Sequence, residues 1–285
     1  MMERLFFFLL LLLLSQQVPA QEWKLVWSDE FSTEGRPDST VWNYEQGFVR
    51  NHEAQWYQRD NAWQQDGLLV IEARREQRPN PTYAPGSRRW GQQRPTIDYT
   101  SACLTTAGKR TFLYGRLEVS ARIPTGGGAW PAIWTLGSGL PWPSCGEVDV
   151  MEYYPIKGEP HILANVAWGS DRPYDAVWNS RKVPFRRFTD RDPHWAQCFH
   201  VWRMDWDETS IRLYLDGELL NEVPLSQTTN GSVGRHTNPF HQPQYILLNL
   251  ALGGDNGGPI DDAALPMRYE IDYVRIYERV TPPYM

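Results

Sequence analysis

Apolar and polar residues alternate along much of this chain with the two-residue period of a half-buried strand, and nowhere with the sustained period of a long helix. Leu117, Val119, Ala121 and Ile123 are separated by Glu118, Ser120 and Arg122, which predicts a strand with one face in a core. Ile211, Leu213 and Leu215 alternate with Arg212 and Tyr214, and Asp216-Gly217 follows. An Asp-Gly pair after such a run predicts a hairpin turn. Residues 68–72 (LLVIE), 245–252 and 269–277 are further strand candidates. No stretch combines an amphipathic helical pattern with capping residues. Many short strands broken by Gly, Pro, Asn and Asp predict an all-β fold, a sandwich or jelly roll. Without an internal linker or repeat, residues 21–285 read as a single domain.

The first twenty residues read differently. Arg4 precedes the apolar run 5–14, and Val18-Pro19-Ala20 follows a short polar stretch. This pattern predicts a signal peptide cleaved after Ala20, with the mature chain secreted, periplasmic or at the cell surface. The run is shorter than the roughly 20 residues a spanning helix needs, and no other segment could cross a membrane. The chain carries 14 Trp and a net charge of -6. Indole at that density fits either a heavily packed core or platforms for flat apolar ligand faces. An acidic balance disfavours nucleic acid and fits a neutral partner, bound by a monomer.

Cys103, Cys145 and Cys198 are odd in number and lack CxxC spacing, which excludes a metal knuckle and allows at most one disulfide. They are expected as small buried hydrophobes. The six His form no H-x-x-x-H pair, so no zinc site is expected. Residues 77–96 carry four Pro, two Gly, four Arg and Trp90, and read as an irregular loop that either walls a cleft or lies solvated. The Gly-rich stretch 253–258 lacks the strand-to-helix setting of a phosphate cradle, and Asn230-Gly231-Ser232 is a glycosylation sequon.

The chemistry concentrates in Gly146-Glu147-Val148-Asp149-Val150-Met151-Glu152-Tyr153-Tyr154. In a regular strand Glu147 and Asp149 share a face and Glu152 points away. One extra residue, a β-bulge, would return Glu152 to their side, and bulges are frequent beside active sites. Three carboxylates on one face suit glycoside hydrolysis. One attacks the anomeric carbon, one protonates the leaving oxygen and then deprotonates water, and a third supports them. The alternative is a solvated acidic edge strand. Upstream, Gly126-Gly127-Gly128 leads into Trp130 and Trp134, whose indoles could offer sugar platforms beside the acids.

The stretches GEVDVMEYY, ARIPTGGGAWPAIWTLG and EIDYVRIY resemble the laminarinase-like branch of the family 16 glycoside hydrolases, and the likeness runs from about Trp23 to Tyr277. The resemblance implies a β-jelly-roll sandwich of the concanavalin-like kind, with a concave substrate cleft and endo-acting, retaining hydrolysis without a cofactor. It implies that Glu147 is the nucleophile, Asp149 its supporting acid and Glu152 the general acid/base. It also implies that Asn51 and Glu53 reach sugar subsites on the non-reducing side, and that Trp130 and Trp134 hold stacking and cleft-floor positions. Glu30 and Asp272 match places where some members bind structural calcium.

The expected substrate is a β-1,3- or mixed β-1,3/1,4-glucan. One departure weakens that choice of sugar. The strand after the acidic one holds Asn165 but no His, where many laminarinases carry a cleft-facing His; His161 is expected at its end. The same chemistry on a β-galactan or a β-galactoside-containing glycan is the alternative, with the arginines of residues 77–96 as candidate partners for anionic substituents. A carbohydrate-binding jelly roll without catalysis is the third reading, disfavoured by the intact set of acids.

Overall fold

The structure is a computed structural model, and it describes residues 22–280; the expected signal peptide lies outside the described residues. Seventeen strands occur among the described residues. They are β1 (Trp23–Asp29), β2 (Asn43–Tyr44), β3 (Gln55–Tyr57), β4 (Ala62–Gln65), β5 (Leu68–Pro79), β6 (Thr96–Ser101), β7 (Cys103–Thr105), β8 (Gly115–Arg122) and β9 (Ala129–Gly137). There follow β10 (Glu147–Ile156), β11 (Glu159–Gly169), β12 (Ala176–Pro184), β13 (His200–Trp206), β14 (Ser210–Leu215), β15 (Glu218–Pro224), β16 (Gln244–Leu252) and β17 (Met267–Arg279). Helical segments among the described residues are single turns of three or four residues.

The strands form two sheets. One has seven strands in the order β12-β11-β10-β9-β16-β7-β2. The other has ten, in the order β15-β14-β13-β8-β17-β5-β6-β3, with β1 on β17 and β4 on β5. Neighbours are antiparallel except β3 and β6. The fold is the all-β jelly-roll sandwich expected from the alternation. Leu117, Val119 and Ala121 of β8 are fully buried, and Asp216 and Gly217 both take positive φ (48° and 82°), making the two-residue turn between β14 and β15.

Between the sheets, Ile133, Val148, Met151, Ile162 and Val166 share a core with Leu117, Val119, Trp202, Met204, Val274 and Ile276. Each such side chain contributes about 1.5–3 kcal/mol by leaving water. The apolar positions of the seven-stranded sheet are thus committed inward, which leaves its other face for polar and aromatic side chains.

Three expectations need correction. Cys103 and Cys145 are buried free thiols, but Cys198 is exposed, on the segment leading into β13. Asn230 is 1% exposed and spends its amide inside the fold, accepting from Gly169 N (2.7 Å) and donating to Ser144 O (2.9 Å). The sequon therefore cannot take a glycan in this fold. Residues 77–96 are less irregular than their Pro and Gly content implied, because β5 runs on to Pro79 and Trp90–Gln92 form a helical turn.

Candidate active site

The bulge predicted in the acidic strand is present. Against β11, Asp149 pairs with Asn165 and Glu152 with Leu163, so three steps on β10 oppose two on its partner. The same slip occurs against β9, where Asp149 pairs with Trp134 and Glu152 with Ala132. Val150 and Met151 both go into the core, and Glu152 returns to the face of Glu147 and Asp149. Gly146 sets the entry to this strand. It has φ +79°, and a Cβ there would lie 2.8 Å from Pro239, so a side chain is excluded on both counts.

The three acids stand on the floor of a cleft of about 740 Å³. It crosses five strands, being lined by Asn249 of β16, Trp130 and Trp134 of β9, the acids and Tyr154 of β10, Asn165 of β11, and Trp178, Ser180 and Lys182 of β12. The segment before β3 adds Arg50, Asn51 and Glu53, and Trp142 and Asn256 complete the rim. All seven site residues expected from the sequence therefore meet at one cleft.

Hydrogen bonds fix the acids. Glu147 accepts from the indole N–H of Trp142. Glu152 Oε1 accepts from Trp130 Nε1 at 2.9 Å. Asn165 Nδ2 donates to Asp149 Oδ2 (3.1 Å) and to Glu152 Oε2 (3.0 Å), so one amide group joins the two carboxylates. Asp149 is only 2% exposed, whereas Glu147 and Glu152 each keep part of their surface open to the cleft. That difference leaves Asp149 to act on its neighbours and the two glutamates to meet a ligand.

Burial drives the electrostatics. It pushes the Glu152 carboxyl up to about 7, with the charge of Glu147 adding and the donors Trp130, Asp149 and Asn165 opposing. Burial, then the charges of Glu152 and Glu147, hold Asp149 well above its ordinary range. Burial also raises Glu147, opposed by hydrogen bonds from Trp142 and Asp149 and by the Arg50 charge. Asp149 is thus held furthest toward its protonated form, and the hydrogen bonds from Trp142 and Asp149 with the Arg50 charge favour the ionised form of Glu147. Glu152 stays protonated to near neutrality. An ionised nucleophile beside a protonated acid is the arrangement double displacement at a sugar requires.

The flanking residues have mixed duties. Glu53 is 2% exposed and accepts from Gln55 Nε2 (2.7 Å) and Asn51 Nδ2 (3.3 Å), so its carboxylate shapes its own segment as it borders the cleft. Arg50, unremarked in the sequence, pairs with Glu45 and lies 5.0 Å from the centre of the Trp134 ring. The indole of Trp134 donates to Asn249 Oδ1 at 2.7 Å. The thiol of Cys145 is pushed up to about 12 by burial, with the charge of Glu147 adding.

The arginines of residues 77–96 do not enter the cleft lining. Arg94 instead donates to the carbonyls of His52 (2.8 Å) and Glu53 (2.9 Å), and Arg78 to the side chain of Gln58. Trp90 packs against Phe48 and His52. Arg94 thereby braces the segment that carries Asn51 and Glu53, while Arg88 and Arg89 lie with Trp90 beside Phe48 and Val49, outside the cleft lining. His161 is not at the strand end; it lies within β11 and pairs with Tyr154, while Asn165 takes the cleft-facing place beside the acids.

Of the two residues matched to a calcium site, Glu30 is already engaged. Both oxygens of Glu30 accept from Arg275, at 2.9 and 2.7 Å, and among the described residues no group of three or more His, Cys, Asp or Glu could hold a metal.

The family model for glycosyl hydrolases family 16 matches residues 50–275. A β-glucanase of Rhodothermus marinus is 37% identical over 280 residues, spanning 92% of this chain and 87% of its own. The laminarinase catalytic domain of Thermotoga maritima superposes with a TM-score of 0.75 at 32% identity, over 92% of this chain and all of that one. A structure from work on the endo-acting O-glycanases with which human gut microbiota initiate mucin breakdown superposes at 0.78 with 33% identity, over 92% of both chains. With its acids on a bulged strand of a jelly-roll sheet, this chain belongs to family 16 of the glycosyl hydrolases, enzymes that hydrolyse glycosidic bonds with retention.

Proposed function

We propose that the chain is an endo-acting retaining β-glucanase, cutting β-1,3 or mixed β-1,3/1,4 linkages within a polysaccharide. The observation that carries this reading is the bulged strand, which brings Glu147, Asp149 and Glu152 together on the floor of a cleft crossing five strands. Glu147 attacks the anomeric carbon while Glu152 protonates the departing oxygen. Glu152, now ionised, then takes a proton from water, which releases the sugar from Glu147. Asp149 shares its proton with Glu147 and keeps the nucleophile's charge oriented. Asn51, Glu53, Trp130 and Trp134 contact the sugars, and the relatives named as β-glucanase and laminarinase support glucose as the sugar. The enzyme works as a secreted monomer after removal of residues 1–20, and no helix among the described residues is long and apolar enough to cross a membrane.

A second reading keeps the mechanism and changes the sugar to a β-galactoside-containing glycan. The lack of a cleft-facing His on β11, where many laminarinases carry one, favours it, and so does the likeness to the O-glycanase structure. The test is a product assay on laminarin, barley mixed-linkage glucan, agarose, porphyran, carrageenan and a poly-N-acetyllactosamine glycan. Oligosaccharides from laminarin or barley glucan support the glucanase. Products from the galactose-containing substrates alone overturn it in favour of the second reading.

A further inference from the structure

β12 is the edge strand of the cleft sheet, bonded on one side to β11 and open on the other. Registers through β11 align it with the acids. Glu147 pairs with Ala167, which pairs with Trp178; Asp149 pairs with Asn165, which pairs with Ser180; Glu152 pairs with Leu163, which pairs with Lys182. Each acid therefore begins a row that crosses β11 and ends on β12. Side chains two apart share a face, and Trp178, Ser180 and Lys182 all line the cleft.

The first row has a distinctive shape. Between Glu147 and Trp178 stands Ala167, a small side chain that is itself fully buried. Strands lie about 4.8 Å apart, which puts Trp178 about 10 Å to the side of the nucleophile. Trp178 is 45% exposed. Among the described residues no aromatic ring packs on it, its indole N–H has no hydrogen-bond partner, and Lys182 forms no ion pair. An unpacked indole with a hydroxyl and an ammonium beside it, on a cleft wall, is a costly arrangement for a structural edge strand. It suits a pyranose, whose apolar face covers the ring while its hydroxyls meet the donors.

Arg50, Asn51 and Glu53 occupy the opposite end of the cleft, the side assigned above to the non-reducing part of the substrate. The chain leaving with the oxygen protonated by Glu152 must then lie toward β12. We propose that Trp178, flanked by Ser180 and Lys182, is the platform that holds a neutral sugar on the leaving-group side of the cut. The inference rests on the assignment of Glu147 and Glu152 above, and it does not depend on which sugar is cleaved. It also bears on the second half of the reaction. A sugar held on Trp178 places its hydroxyl where water would attack the glycosyl-enzyme, so the same residue sets how often transfer replaces hydrolysis.

The test compares two substrates built on whichever sugar the wild-type chain cuts. One is the oligosaccharide with sugars on both sides of the cut; the other is an aryl glycoside whose leaving group is nitrophenol. In Trp178→Ala the ratio of kcat/KM for the oligosaccharide to that for the aryl glycoside should fall about tenfold, the scale of one aromatic contact. Trp178→Phe should recover part of the loss, and the share of transfer products should drop with the ratio. An unchanged ratio overturns the proposal, whether both rates hold or both fall together, since the latter marks a structural role. A wrong sugar assignment shows in the wild-type rates, and a wrong platform shows only in the ratio.

Discussion

Trp130 and Glu152 lie 22 positions apart in sequence and are joined by a 2.9 Å hydrogen bond from indole Nε1 to carboxyl Oε1. The bond is compatible with either protonation state of Glu152 and favours the ionised one. Glu152 must be protonated to act as the acid, so kcat/KM should fall as pH rises through about 7. Trp130→Phe removes the donor and should move this basic limb upward by about one pH unit, with a lower rate at the optimum. A pH–rate profile of both proteins checks this. A limb that stays in place would mean that Trp130 does not act on the acid.

Glu147→Gln keeps the shape of the nucleophile and removes its charge. Turnover should drop by at least about 10³-fold, while the circular dichroism spectrum and sugar affinity stay close to wild type. Substantial residual activity would assign the nucleophile elsewhere.

Glu152→Gln tests the same carboxyl through stability. The folded-state pKa of about 7 lies above the ordinary 4.5. A group raised on folding gives its full stability below its unfolded pKa, and that contribution is lost as pH climbs through the folded value. Gln does not titrate. The melting temperature of the variant relative to wild type should therefore rise between about pH 4.5 and 7 and level off above. A difference that stays flat across that window would contradict the raised pKa.

Asn165→Asp should be more damaging than its size suggests. It replaces a donor shared by Asp149 and Glu152 with a fourth carboxylate beside them, so the pair loses two hydrogen bonds and meets a like charge. The expected result is a loss of activity of roughly 10²-fold or more, together with a basic limb shifted upward. Asn165→Ala, which removes the donor without adding charge, should lie between this variant and wild type on both measures.

The acids were legible in the sequence because a strand's faces follow from counting by two, and Glu152 fell on the wrong count. Only one inserted residue reconciles that, and the bulge is where the count required it. Asn165, Trp178 and Lys182 were not legible as site residues, because their place beside the acids depends on the register of β11 and β12, which no local pattern fixes. Alternate polar positions on β12 held a signal, since Trp178, Ser180 and Lys182 recur at a spacing of two. The place of Arg50 was not legible either, because its contacts with Glu45 and Trp134 come from folding of the loop. Cys198 departed from expectation because burial of a lone thiol follows from its surroundings and not from its type.

The bulge gives the catalytic strand two halves of opposite parity. Before it the odd-numbered Glu147 and Asp149 see the cleft, and after it the even-numbered Glu152 and Tyr154 do. Loss of one residue at Val150 or Met151 would put both halves on one count, giving a regular strand in which Glu147, Asp149, Glu152 and Tyr154 all still face the cleft. Straightening the strand with every residue kept would instead turn Glu152 and Tyr154 into the apolar interior and expel Tyr153 onto the cleft floor. At this point of the chain the site constrains parity, and either a bulge or a shorter strand satisfies it.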